Sequence, residues 1–93
     1  MAIRNFRHKG LERFFTASAA GGIPASHHAR IERMLDRLDA AVRPSDMDIP
    51  GWRLHPLRGD RRGAWAIWVS GSLRITFWFD GEDATNVNLE DYH

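Results

Sequence analysis

Cysteine is absent from the sequence, lysine and tyrosine occur once each as Lys9 and Tyr92, and no apolar run approaches the roughly 20 residues that span a bilayer. The first absence excludes disulfides and thiolate-bound zinc, and it fits a reducing compartment. The amino terminus, Met1-Ala2-Ile3-Arg4-Asn5, carries no secretory pattern. The expected protein is therefore soluble and cytoplasmic, with no membrane contact. Its 93 residues, 43% of them hydrophobic, leave room for one core, so a single domain over residues 1–93 is expected. A chain of this size buries roughly 60–70% of the surface it exposes when unfolded, and apolar packing must hold it without covalent help.

The near-neutral formal charge of +1 conceals an uneven distribution. Twelve of the thirteen basic residues are arginine, a bias that genomic base composition explains as well as chemistry does. Residues 1–13 carry Arg4, Arg7, Lys9 and Arg13 against Glu12, and residues 51–79 carry Arg53, Arg58, Arg61, Arg62 and Arg74 against Asp60. The last fourteen residues carry five acids, Asp80, Glu82, Asp83, Glu90 and Asp91, and no arginine or lysine. A basic middle of this kind is the usual footprint of a phosphate-bearing partner.

No internal repeat or low-complexity segment is present. Ala2 to Phe6 suits a short first strand. Leu11, Phe14, Phe15 and Ser18 then recur at i, i+3, i+4 and i+7, which predicts an amphipathic helix ended by Gly21-Gly22. Pro24 opens a second helix whose apolar stripe is Ile31, Met34, Leu35, Leu38 and Val42, and Pro44 stops it. From Arg43 to Gly51 the chain reads as a loop. Beyond Trp52 the period becomes two: Trp65, Ile67 and Val69 alternate with Ala64, Ala66 and Trp68, and Ser70-Gly71-Ser72 turns the chain into Leu73–Phe79. A second turn, Asp80-Gly81-Glu82-Asp83, leads to a last strand in which Thr85, Val87 and Leu89 alternate with Asn86, Asn88 and Glu90. The predicted fold class is α+β, with two helices layered on a mainly antiparallel sheet of three to five strands.

The phase of these strands decides which side chains meet. With Ile75, Phe77 and Phe79 buried beside Val87 and Leu89, the other face receives Arg74, Thr76 and Trp78 together with Asn88, Glu90 and Tyr92. Pairing Phe77 with Val87 sets Arg74 opposite Glu90. By itself that is a surface ion pair worth about 0–1 kcal/mol.

Five histidines could carry chemistry: His8, His27, His28, His55 and His93. His27 and His28 sit at a helix start and point about 100° apart, so they do not form a metal pair. Zinc held by His55, Asp91 and His93 is conceivable from ligand type, but no spacing supports it, and no metal is expected. His55 lies in Leu54-His55-Pro56-Leu57-Arg58-Gly59-Asp60-Arg61-Arg62-Gly63, with three arginines close behind it. His93 follows Glu90-Asp91-Tyr92. A terminal residue is ordinarily frayed and expendable, yet an Asp, Tyr and His cluster docked beside a basic face supplies acid–base groups. Histidines near arginines suit metal-independent RNA cleavage, which needs a base for the 2′-OH, cations for the pentacovalent phosphate and an acid for the 5′-oxygen.

At these residues the sequence resembles the HigB toxins, the plasmid maintenance killer proteins of the RelE-like superfamily. The matching stretches are Phe6-Arg7-His8-Lys9-Gly10-Leu11, Asp46-Met47-Asp48-Ile49-Pro50-Gly51, Leu54-His55-Pro56-Leu57, Gly59-Asp60-Arg61, Trp65-Ala66-Ile67, Arg74-Ile75-Thr76-Phe77 and Asn88-Leu89-Glu90-Asp91-Tyr92-His93. The resemblance implies a RelE-like fold and a ribosome-dependent endoribonuclease that enters the decoding site, against the 16S rRNA, and cuts messenger RNA during translation. It implies no cofactor. It also implies a HigA-type helix-turn-helix antitoxin, through which operator DNA is met only indirectly. Carried onto this chain, the family's catalytic positions are His55, Asp91, Tyr92 and His93, and Arg74 supports the phosphate. Arg58, Arg61 and Arg62 join it as cations that meet RNA. Arg58 stands where relatives usually have lysine, which keeps the charge but cannot act as a general acid. Leu89 replaces a commonly aromatic neighbour on the core side. Strand alternation turns Asp91 inward, so that either the strand bulges near its end or Asp91 acts through another residue.

Two other classes share the residues. A RelE-like toxin without nuclease chemistry, like the ParE-type toxins that bind DNA gyrase, would lack the histidine-bearing terminus. A module that binds RNA or ribosomes without cutting would use Tyr92, Trp68 or Trp78 for stacking. The four tryptophans otherwise suit core and sheet packing, with Trp78 alone on the polar face.

Overall fold

The structure, a computed structural model, describes residues 3–19 and 21–92. Helix α1 spans Lys9–Ala17 and helix α2 spans His28–Ala40. His8 caps α1, its Nδ1 accepting a hydrogen bond from the Leu11 backbone N–H at 2.9 Å. The helix stops short of the expected Gly21-Gly22. Ser18 already adopts the left-handed conformation at φ 56°, and the Ala19 N–H reaches back six residues to the Arg13 carbonyl, a Schellman-type closure. Pro24 precedes a 3₁₀ turn at Ala25–His27 that feeds α2. Val42 departs from its predicted place on the α2 stripe and is 38% exposed. The helix has ended by then, Ala41 is extended, and Ala41 fills the core position instead.

The loop after α2 is not an inert connector. It contains a 3₁₀ turn, Pro44–Met47, that buries Met47 completely. The turn is tied by Asp46, whose carboxylate accepts from the backbone N–H groups of Val42 (2.9 Å) and Arg43 (3.3 Å), and these bonds hold its pKa below the ordinary value.

Four strands form one sheet in the order β1-β2-β3-β4, every neighbouring pair antiparallel: β1 is His55–Pro56, β2 is Ala64–Ser70, β3 is Leu73–Asp80 and β4 is Asp83–Asp91. The core lies between one sheet face and the helices. Ile67, Val69, Ile75, Phe77 and Val87 meet Leu11, Ile31, Met34, Leu35 and Leu38, and Trp52 closes one side. The first strand expected at Ala2–Phe6 is reduced to two isolated parallel bridges, Ile3 with Ala84 and Phe6 with Val87; Ala2 lies outside the described residues. These bridges still cover the outer edge of β4, which is how a sheet protects unpaired backbone groups.

Register between β3 and β4 is the predicted one from Leu73↔Asp91 through Thr76↔Asn88, including Arg74↔Glu90. Beyond it the register shifts, and Trp78 pairs with Thr85. Asn86 takes φ 51° at this bulge, and its N–H is received by the Asn5 side chain. The extra residue lets Ala84 and Val87, three apart, both face the core. It also moves Thr85 off the apolar side where simple alternation placed it.

Candidate active site

The sheet face turned away from the helices carries the polar residues in rows. One row crosses all four strands as His55, Ala66, Thr76 and Asn88, and the next runs Trp68, Arg74, Glu90. Rows on one face lie about 6.7 Å apart and strands about 4.8 Å apart, so this lattice fixes who can meet whom.

Glu90 is the hub of the face. Its carboxylate receives Arg61 at 2.7 Å, Thr76 at 2.8 Å, Arg74 at 3.2 Å and the Asn88 amide at 3.4 Å. Burial works against its ionisation, but the donors from Arg61, Thr76 and Arg74 outweigh that and hold its pKa below the ordinary carboxylate value. Arg74 is itself largely covered, its side chain 17% exposed, and its guanidinium carbon lies 4.4 Å from the centre of the Tyr92 ring. Its buried Nε has no hydrogen-bond partner among the described residues. Tyr92 is 42% exposed, and its backbone N–H donates to the Ser72 carbonyl at 2.9 Å, which fixes the end of the chain's path beside β3.

Beside this cluster opens a concavity of about 320 Å³, with Arg7, Arg61, Trp78, Asn86 and Asn88 around Glu90 and Thr76. Gly63 makes room for one wall. At φ 104° it sits against Trp78, and a Cβ there would come within 3.0 Å of the indole. Arg61 reaches the site from the 3₁₀ turn Gly59–Arg61, whereas Arg58 and Arg62 are exposed and make no side-chain ion pair among the described residues.

His55 stands apart from Arg74 and Tyr92, on β1, two strands from Arg74. Its Nδ1 lies 2.7 Å from the Arg53 carbonyl oxygen. A carbonyl can only accept, so Nδ1 carries the proton and the neutral ring keeps Nε2 as an open acceptor. Asp91 pairs in register with Leu73, and the ladder runs into it without a bulge. Its carboxylate receives the Ser72 hydroxyl, and the residue is exposed rather than turned inward as alternation predicts. The bulge that was one of the two possibilities is not found at this end of the strand. His93 lies outside the described residues. No group of three or more metal-ligating His, Asp or Glu side chains occurs among those described, and no helix among them is long and apolar enough to cross a membrane.

Sequence reasoning named Glu90 only as a partner of Arg74 and passed over Arg7, Thr76 and Asn88. The signal was present: Thr76 and Asn88 share the phase of Arg74 and Glu90, so the four had to converge. The acidic run toward the carboxyl end also has a local explanation. Asp80 and Asp83 bind Arg4 at 2.6 and 2.8 Å, and Glu90 binds the arginines of the site.

The sequence that builds this polar sheet face has relatives. The chain is 42% identical over 91 residues to Endoribonuclease HigB of Proteus vulgaris, spanning 98% of this chain and 99% of the relative. It is 38% identical over 90 residues to Toxin HigB-1 of Vibrio cholerae, spanning 94% of each. Residues 4–93 match the family model described as RelE-like toxin of type II toxin-antitoxin system HigB. The chain therefore belongs to the HigB-like family of RelE-like toxins, the toxin halves of type II toxin–antitoxin systems.

Proposed function

We propose that the chain is a ribosome-dependent endoribonuclease that cleaves messenger RNA during translation by metal-independent acid–base chemistry, and that a HigA-type antitoxin restrains it in the cytoplasm. The observation that carries this reading is the shared sheet face of His55, Arg74 and Tyr92, with arginines from two elements gathered there. The relative named Endoribonuclease HigB supports the same activity.

In this reading His55 accepts the proton of the RNA 2′-OH at Nε2, the position its bond to the Arg53 carbonyl leaves open. The 2′-oxygen attacks phosphorus and the bond to the 5′-oxygen breaks, leaving a 2′,3′-cyclic phosphate and a 5′-hydroxyl. Arg74 and Arg61 neutralise the pentacovalent phosphate, and Arg58 and Arg62 draw the strand in by long-range attraction. His93 returns a proton to the 5′-oxygen. Tyr92 braces Arg74 and stacks toward the strand. Asp91 holds Ser72 and so the path of the residues beyond it. An open sheet face orients a flexible strand poorly, and the ribosome supplies the orientation that in-line attack requires.

The test is to express the chain without an antitoxin and map the 5′ ends of cellular messages, beside a reaction of purified protein with naked RNA. New 5′-hydroxyl ends confined to translated messages are the expected result. Inhibition of DNA gyrase supercoiling without RNA ends would transfer the protein to the ParE-like class, and ribosome binding without cleavage to the non-cutting class.

A further inference from the structure

We propose that Glu90 is a built-in stand-in for the RNA phosphate: its carboxylate holds Arg61 and Arg74 in place while the site is empty and is displaced from them when a phosphodiester enters. The inference rests on the assignment of Arg61 and Arg74 as phosphate-binding residues and adds a positioning residue to that site.

The geometry carries it. A single anionic group receives both guanidinium groups, from two different elements, the Gly59–Arg61 turn and β3. Two long side chains that would otherwise sample many rotamers are therefore ordered before any substrate arrives, which is the usual route to low-cost electrostatic catalysis. Thr76 and Asn88 donate to the same carboxylate, so Glu90 is held by neutral partners that keep it near the site after the arginines leave. Arg74 Nε, buried and without a partner among the described residues, is a donor that Glu90 does not use and a phosphate oxygen could. The concavity beside the carboxylate gives an incoming nucleotide an approach to it, with Arg7 as a further cation on its wall. Two arginines and one carboxylate leave the cluster with an excess positive charge, so the stand-in weakens phosphate binding without cancelling it.

The full chain is tested with two probes, inorganic phosphate and a 2′-deoxy-substituted oligonucleotide that resists cleavage. Glu90→Gln keeps the shape and loses the charge. It should bind both probes about 3–10-fold more tightly, and the oligonucleotide with a salt dependence steeper by about 0.7 in log–log slope. On translated messages it should show a lower KM and a lower kcat, because binding gains while the arginines lose their fixed placement. A role confined to stability would leave both constants unchanged at temperatures where the variant is folded, and that result overturns the proposal. Should Glu90→Gln not fold, the carboxyl ¹³C resonance of Glu90 in the wild-type chain gives the same answer. Its titration midpoint should rise as saturating phosphate takes Arg61 and Arg74 away, and a midpoint that stays put overturns the proposal. Failure of either probe to bind wild type or variant also overturns it. Message cleavage with no Glu90 effect removes this inference alone, whereas displacement of Glu90 by phosphate without any cleavage removes the nuclease reading and leaves this one standing.

Discussion

One hydrogen bond fixes the tautomer of His55, and the residue stands half-exposed on the short edge strand β1, where a side chain contributes little to folding. His55→Ala should therefore lose about 10²–10⁴-fold in cleavage rate while its melting temperature stays close to wild type. Single-turnover cleavage on programmed ribosomes and a thermal melt check the two halves; a wild-type rate removes His55 from the chemistry. Arg74 is the opposite kind of residue, tied into the fold and, in the proposed reading, also a phosphate ligand. Arg74→Ala should cost on the order of 10²–10³-fold in cleavage and about 1–3 kcal/mol of stability, since it strips a donor from half-buried Glu90 and uncovers Tyr92. Arg74→Lys should recover little of the rate, because a point charge neither lies flat on the Tyr92 ring nor offers a second donor to phosphate. The sequence could raise the question of Arg74, ion pair or phosphate ligand, without answering it. The structure contains the ion pair, and because Glu90 takes only part of the guanidinium the proposed phosphate role is compatible with it.

At the scale of elements, the hairpin phase was readable because alternation of apolar and polar residues is strict from Leu73 to Phe77, and it placed Arg74, Thr76, Asn88 and Glu90 on one face. What alternation could not announce was the bulge. Nothing in Thr85-Asn86-Val87 marks an extra residue except an asparagine, the side chain most tolerant of the left-handed region after glycine. The first strand was legible only as a short segment with Ile3 and Phe6 as its large apolar residues, because its pairing is with residues some 80 positions away, a relation that no local pattern carries. The position of Asn86 makes a stability prediction: Asn86→Val should destabilise by about 1–2 kcal/mol, whereas Asn86→Gly should be near neutral, in denaturant titrations. Equal effects would mean the backbone there relaxes to negative φ. Gly63→Ala, forced against Trp78 at a positive φ, should cost about 1–3 kcal/mol and disturb the wall of the concavity.

For the molecule as a whole, the depressed pKa of Glu90 links folding to pH in a definite direction. A carboxyl that ionises more readily in the folded state than in the unfolded one adds stability above its ordinary pKa of 4.5. That stability is lost as the pH falls below 4.5 and through the folded value. Wild type should therefore exceed Glu90→Gln in stability at pH 7, and the gap should close in acid; a gap that is constant from pH 7 to pH 3 contradicts the ion-pair assignment. On the same scale, the exposed arginines of the site face should make association with translating ribosomes fall steeply with salt, while cleavage of naked RNA stays poor at every ionic strength.

The clasp between the amino-terminal segment and β4 has a consequence for the order of events in the cell. Asn5 and Phe6 are synthesised some 80 residues before their partners Asn86 and Val87. During synthesis the helices can form early, but until β4 is made the sheet edge stays open and Glu90 and Tyr92 do not yet exist. In the proposed reading, a chain still short of β4 has no cutting surface to turn on its own message. Loop closure over so long a separation is slow compared with helix formation. A partner that captures the open edge during that interval would meet the protein before it is armed.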